Sequence, residues 1–220
     1  CITALQLLYR PFGLIIDVGA NNGGSTRRLA EHFSNHTILA IEPIRVNVNE
    51  IKRRTINLTN VDVIRGGVGA FNSFESYGSS LDFRGWQAKL ETGPQYGGYL
   101  KFNSAQRNEV VKTRFEVFKI DDIVMKNYSL PLTFLHLDVE GGEEAALRGG
   151  ATVFRRDRPF MSVESFPVSR KLQHSKLLNL LKLLRYEVYL IPEICGIEDC
   201  FNFFAIPAEA QVTIPKACSC

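Results

Sequence analysis

Short apolar runs broken by turn residues recur along this chain, and the first is the most informative. Gly13, Leu14, Ile15 and Ile16 lead into Asp17 and Val18 without a polar interruption, which predicts a strand buried on both faces. Gly19-Ala20-Asn21-Asn22-Gly23-Gly24 then reads as a tight turn. Ser25 to Phe33 reads as a helix with Leu29, Ala30 and Phe33 inward. Ile38 to Glu42 predicts a second strand that Pro43 stops, Arg45 to Thr55 a second helix, and Val61 to Ile64 a third strand. The glycines of Gly66-Gly67-Val68-Gly69 read as a loop at the carboxyl edge of that strand.

Further on, Thr113 to Phe118 alternates like an edge strand, and Ile120 to Val124 opens a short helix with acids in its first turn. Leu132 to Glu140 predicts an apolar strand ending in carboxylates. Glu143 to Arg148 follows as a helix stopped by Gly149-Gly150, and Pro159 to Ser165 as a strand ending near Glu164. Lys171 to Arg185 carries Leu177, Leu180, Leu181 and Leu184 on one stripe, the mark of a core-facing helix. Glu187 to Ile191 and Phe201 to Ile206 predict a final antiparallel hairpin around a short loop holding Cys195 and Cys200. Ile2 to Leu8 predicts a helix covering the sheet edge. Strands alternating with helices predict an α/β, Rossmann-like fold: a mostly parallel seven-stranded sheet, helices on both faces and the antiparallel hairpin last.

Between Phe71 and Val111 the periodicity fades into an aromatic, Gly-rich stretch. A segment of this kind inside a compact domain is commonly a lid or a specificity wall. Trp86, Tyr96 and Tyr99 are its candidate stacking surfaces, or else they pack into a covering hairpin. The 220 residues fit a single domain, 1–220, and 45% hydrophobic with 22% charged residues are globular proportions. A net charge of +3 with no basic stripe argues against a nucleic-acid partner, and no apolar run reaches the length of a membrane span. The chain starts at Cys1, so a leader or anchor could have been trimmed away. Asn35, Asn57 and Asn127 begin N-x-S/T sequons, which makes a secretory-pathway lumen the alternative to a favoured cytoplasmic location. Cys195, Cys200, Cys218 and Cys220 match zinc spacings poorly; buried thiols or a late disulfide suit them better, and no metal is expected.

The candidate chemistry gathers at the first turn. A strand, a Gly-rich turn and a helix start bring backbone N–H groups and a positive helix end close to a ligand. Glu42, at the tip of strand two, stands where a carboxylate grips a ribose diol, so an adenosine-containing cofactor is expected. A dinucleotide fingerprint needs glycine where Asn21 stands. Asn21 suits the amino-acid end of S-adenosylmethionine better than a pyrophosphate. The D-x-G-x-N-x-G pattern resembles motif I of class I methyltransferases. Candidate cofactor residues are Asp17, Gly19, Ala20, Asn21, Gly23, Ser25, Glu42, Gly67 and Asp138. Two carboxylates cannot end a buried strand uncompensated, so Asp138 and Glu140 belong at the open strand tips. Period two places His136 on their side.

Taken together, DVGANNGGS from Asp17, AIEP from Ala40, LDVEGGEEAALRGG from Leu137 and SVES from Ser162 resemble the FkbM family of methyltransferases. The resemblance implies a class I fold, S-adenosylmethionine as methyl donor, and O-methylation of a sugar or another small hydroxylated acceptor. It implies cofactor contacts at Gly19, Asn21 and Glu42, and acids at the strand tips in Asp138, Glu140 and Glu164. The family usually carries lysine where this chain has His136. Asp138 is expected to orient the acceptor or the methionyl amine, and His136 or Glu140 to take the acceptor's proton. Alternatively, His136 is a satisfied strand histidine and Glu140 a cap on the next helix. Glu164, Trp86 and Tyr96 are the expected substrate contacts. Two other functions fit less well: an inactive module that only binds S-adenosylmethionine, and an NAD-dependent oxidoreductase.

Overall fold

The computed structural model describes residues 10–77, 113–139, 141–165, 171–195 and 198–210. The expected helix at 2–8, the aromatic segment with Trp86, Tyr96 and Tyr99, and Glu140 all lie outside them. The first half alternates β1 (Gly13–Val18), α1 (Gly24–His32), β2 (His36–Glu42), α2 (Arg45–Arg54) and β3 (Val61–Arg65). Then come β4 (Gly67–Val68), β5 (Ser73–Tyr77), β6 (Thr113–Phe118), α3 (Ile120–Asn127) and β7 (Leu132–Leu137). The chain continues through α4 (Glu143–Gly149), α5 (Ala151–Asp157), β8 (Phe160–Ser165), α6 (Lys171–Leu183), β9 (Tyr186–Cys195) and β10 (Glu198–Pro207).

Seven strands form the main sheet in the order β3-β2-β1-β7-β8-β10-β9. The β1–β2, β2–β3, β1–β7 and β7–β8 pairs are parallel, and β10 runs antiparallel to both β8 and β9. The order turns outward from β1, which places the crevice at the carboxyl ends of β1 and β7. Period two splits the buried strands between two faces. Ile16, Val18, Leu135, Leu137, Met161 and Val163 pack with α3 to α6 through Ile123, Leu147, Phe154 and Leu181. On the opposite face Ile15, Phe134, Phe160 and Phe204 meet Leu29 and Ala30 of α1 and Phe33 just past its end, while Ala40 meets Ile51 of α2. Asp17 and His136 follow Ile15 and Phe134 by two positions, so they share the α1 face.

Several expectations need correction. Gly67 does not sit in a loop: β4, β6 and β5 form a small second sheet with β6 in its centre, not at an edge. Alternation of side chains cannot tell an edge from a central strand, and a Gly-Gly-Val stretch carries almost no strand signal. Ser73–Tyr77 is likewise a strand inside the stretch read as aperiodic. The helix from Glu143 does stop at Gly149-Gly150 as expected, but a further helix that the sequence reading missed, α5, starts at once at Ala151. The buried carboxylate of Asp121, on α3, accepts the Thr152 and Val153 N–H groups at 3.2 and 2.9 Å and caps the new helix from outside. The last hairpin is longer than expected, with Cys195 and Cys200 inside its strands. Asn35, Asn57 and Asn127 are exposed and lie in or next to the helix-to-strand turns at the sheet edge opposite the crevice.

Candidate active site

Three loops meet at the carboxyl ends of β1, β2 and β7. Gly19 takes φ +76° and its N–H donates to the Ile41 carbonyl at 3.0 Å, which ties the turn to β2. A Cβ on Gly19 would lie 1.7 Å from the Asp138 carbonyl oxygen, so the turn and the segment after β7 touch backbone to backbone. Asn21 holds a left-handed φ of +49°, a conformation asparagine tolerates better than most residues. The Asn22 Oδ1 accepts the Gly24 N–H at 3.0 Å and closes the start of α1, where Gly23 packs on Ile51.

Glu42 seals the other wall. Only 4% of its surface is exposed, yet its carboxylate accepts three hydrogen bonds. Asn21 N–H reaches Oε2 at 2.9 Å; Ile44 N–H and Asn47 Nδ2 reach Oε1 at 3.0 and 3.2 Å. Burial pushes its carboxyl up to about 7 against the pull of these donors, and the nearby Asp17 adds to the rise.

Under the turn lies a second buried acid. Asp17 has no exposed surface. Its Oδ2 accepts the Thr26 hydroxyl of α1 at 2.6 Å, and its Oδ1 meets His136 Nδ1 at 2.7 Å. His136 keeps 24% of its side chain exposed. Asp17 therefore contacts the helix and β7, and the expectation that it touches a cofactor directly does not match this geometry. Glu143, at the start of α4, is buried and accepts the Val139 and Gly141 N–H groups, each at 3.1 Å. Burial holds its carboxyl up near 7, and the charge of Asp138 adds to the rise. Glu143 thus closes the loop between β7 and α4.

Of the other expected residues, Asp138 is half-buried with its N–H on the Val18 carbonyl at 3.1 Å. Ser25 stands half-buried in the first turn of α1, Ala20 is buried behind the Gly19 turn, and Gly67 is buried on β4. Glu164 is half-buried on β8, in register with Asn202 of β10, and Ser162 is in register with His136. The row Asp17, His136, Ser162, Glu164 and Asn202 thus crosses four strands on the α1 face, next to the rings of Phe134, Phe160 and Phe204. Thr26, Asn47 and Glu143 escaped the sequence reading. A threonine in a helix's opening turn and an acid at a helix start look like ordinary helix residues. Only the fold aims them at Asp17, Glu42 and the segment after β7.

The Methyltransferase FkbM domain pattern matches residues 17–189 of the chain. The chain belongs to the FkbM methyltransferase family. Its cofactor is accordingly S-adenosylmethionine. No curated protein matches the sequence. Among solved structures the chain is similar to the methyltransferase FkbM from Methylobacillus flagellatus KT, with a TM-score of 0.57 and 19% identity over 89% of this chain. It spans only 44% of that protein. The fibrillarin/Nop5p complex aligns at 0.55 with 10% identity over 93% of this chain and 79% of that one. An rRNA methylase from Streptococcus thermophilus aligns at 0.53 with 10% identity over 94% and 95%. These likenesses are of fold, and the sheet alone does not choose between a nucleic-acid and a small-molecule acceptor. Among the described residues, no helix is long and apolar enough to cross a membrane.

The residues present fit the family's cofactor. A carboxylate offers about four acceptor positions, and the chain fills three on Glu42. Oε2 keeps capacity for a ribose hydroxyl, and Asn47, at 3.2 Å, is the donor placed to yield to a second. A pyrophosphate fits worse. The residue at the second-glycine position is Asn21, which carries a side chain where a close backbone approach is needed and whose N–H is already given to Glu42.

Proposed function

We propose that this chain O-methylates a small hydroxylated acceptor, a sugar or a molecule of similar polarity. The observation that carries the reading is the polar row beside the Gly19 turn, where an imidazole backed by a buried carboxylate stands next to Ser162, Glu164 and Asn202. Such a row suits an acceptor that needs several hydroxyls oriented and one deprotonated. When bound, S-adenosylmethionine supplies a methyl group whose C–S bond breaks, the electron pair going to sulfur, as the acceptor oxygen bonds the carbon.

The chain's own residues then divide the remaining tasks. Glu42 accepts the ribose hydroxyls, and Gly67 lies on the short strand just past β3, where the adenine edge would pass. Gly19, Ala20, Asn21, Gly23 and Ser25 line the turn that would face the amino-acid end. Asp138, half-buried beside Gly19, orients the methionyl amine or the acceptor. His136 receives the hydroxyl proton, and Glu164 with Trp86 and Tyr96 supplies acceptor contacts. Alignment of the acceptor oxygen with the methyl carbon is worth more than any single group here, because the sulfonium is already activated.

The test is incubation with methyl-labelled S-adenosylmethionine and panels of glycans, small alcohols and RNA. Label transferred to a hydroxylated small molecule supports the reading; transfer to RNA alone, or to nothing despite measurable cofactor binding, overturns it. Asp138→Asn should abolish turnover and leave cofactor affinity nearly intact. Loss of both together would assign Asp138 to the cofactor alone.

A further inference from the structure

A buried carboxylate must be met by donors, and Asp17 is met twice. Thr26 Oγ1 donates to Oδ2 at 2.6 Å, and His136 Nδ1 lies 2.7 Å from Oδ1. Strand register fixes the second contact, because Asp17 and His136 are paired residues on adjacent parallel strands and point to the same face. Helix α1 fixes the first, because Thr26 is fully buried in its opening turn. With both oxygens held, the carboxylate has one place to put its charge and the imidazole one way to turn. Among the described residues, the other ionisable groups near the ring in strand register are Asp138, two residues on, and Glu164, two residues past its partner Ser162 on β8.

We propose that Thr26 and Asp17 are positioning residues that hold His136 as the Nδ1–H tautomer, making Nε2 the base for the acceptor hydroxyl. Nδ1–H donates to Asp17, so the ring's lone pair is on Nε2, across the ring from the buried acid. As the acceptor oxygen forms its bond to carbon, its proton passes to Nε2. The imidazolium so formed is stabilised by the buried carboxylate, and it returns the proton to solvent after product leaves. A buried acid behind a histidine divides the labour in this way in hydrolase triads. Thr26 adds a feature of its own, since it sits one turn beyond the Gly19 bend. The same helix start that would meet the cofactor's amino-acid end therefore sets the base.

The base role rests on the O-methylation reading; the clamp does not, and two measurements separate them. The first uses the cofactor-free, ¹⁵N-labelled chain, whose four histidines are few enough to assign with a His136→Gln spectrum. Long-range ¹H–¹⁵N correlation should show His136 protonated on Nδ1 at neutral pH. Asp17→Asn and, more weakly, Thr26→Val should mix the tautomers. A wild-type His136 carrying its proton on Nε2, or on both nitrogens, overturns the clamp.

The second measurement is kinetic, on an acceptor found in the labelled panel. Asp17→Asn should lower kcat on the order of a hundredfold and Thr26→Val about tenfold, with both KM values within about twofold. His136→Lys places a cation beside Asp17 but cannot accept a proton at neutral pH, so it should lose as much rate as His136→Gln. A His136→Lys enzyme that keeps its rate, or an Asp17→Asn loss that falls on cofactor KM, overturns the base. A clamped tautomer in a chain that methylates no hydroxylated acceptor sinks the O-methylation reading and leaves the clamp standing.

Discussion

Glu42 should make both stability and cofactor affinity depend on pH, in opposite directions. Its carboxyl is 4% exposed and pushed up to about 7 from an ordinary 4.5. In the unfolded chain it ionises near the ordinary value, so between the two values the folded state holds a proton the unfolded state has lost. Stability therefore falls as pH rises through that window and is level above it. The ionised carboxylate costs the folded chain about 3 kcal/mol above the window, from about 1.4 kcal/mol per tenfold change in the equilibrium. In the proposed function the ribose hydroxyls donate to the ionised form. Cofactor affinity should accordingly rise up to about tenfold per pH unit until near 7, then flatten. Glu42→Gln removes the titration and keeps the side chain's volume. Urea unfolding of both proteins at about pH 5 and about pH 8 isolates the residue, because Glu143 and every other group cancel in the difference. The gap between variant and wild type should move by about 2.5 kcal/mol in the variant's favour on going to the higher pH, because part of the loss has already occurred at about pH 5. Calorimetry should show the variant's weakened cofactor affinity losing its slope. A gap that stays constant across pH, with the affinity slope intact in the variant, would refute the assignment.

Two further substitutions probe the neighbouring loops. Gly19→Ala puts a methyl group against the Asp138 carbonyl at a residue with φ +76°; it should cost about 3 kcal/mol or more in thermal unfolding and abolish cofactor binding. An unchanged midpoint would mean the two loops separate freely. Glu143→Ala leaves the Val139 and Gly141 N–H groups without their acceptor. Hydrogen exchange at those two amides should quicken by about tenfold or more, whereas Glu143→Gln, which keeps an acceptor oxygen, should retain most of the protection. Equal exchange in wild type and the alanine variant would remove Glu143 from the loop.

What the chain alone determined was the scaffold and the addresses of its polar tips. The run before Asp17, the glycines after it and the acid at Glu42 specify strand, bend and strand by local chemistry, because burial periodicity and glycine's freedom act over a few residues. The same holds for the stripe of Leu177, Leu180, Leu181 and Leu184, and for the hairpin that closes the sheet. The family likewise was legible in blocks such as LDVEGGE, which keep their meaning without coordinates.

Tertiary structure decided what each tip does. Asp17 reads along the chain as one more cofactor residue, but register beside β7 and burial under α1 turn it toward His136 and Thr26. Glycines 149 and 150 stop one helix as they read, but only Asp121, 30 residues earlier in the sequence than Ala151, caps the new helix that starts there. Gly67 reads as a loop until β6 pairs with it. In each case the deciding partner lies far off in sequence, and a hydrogen bond or a strand pairing across such a distance leaves no trace in local propensity.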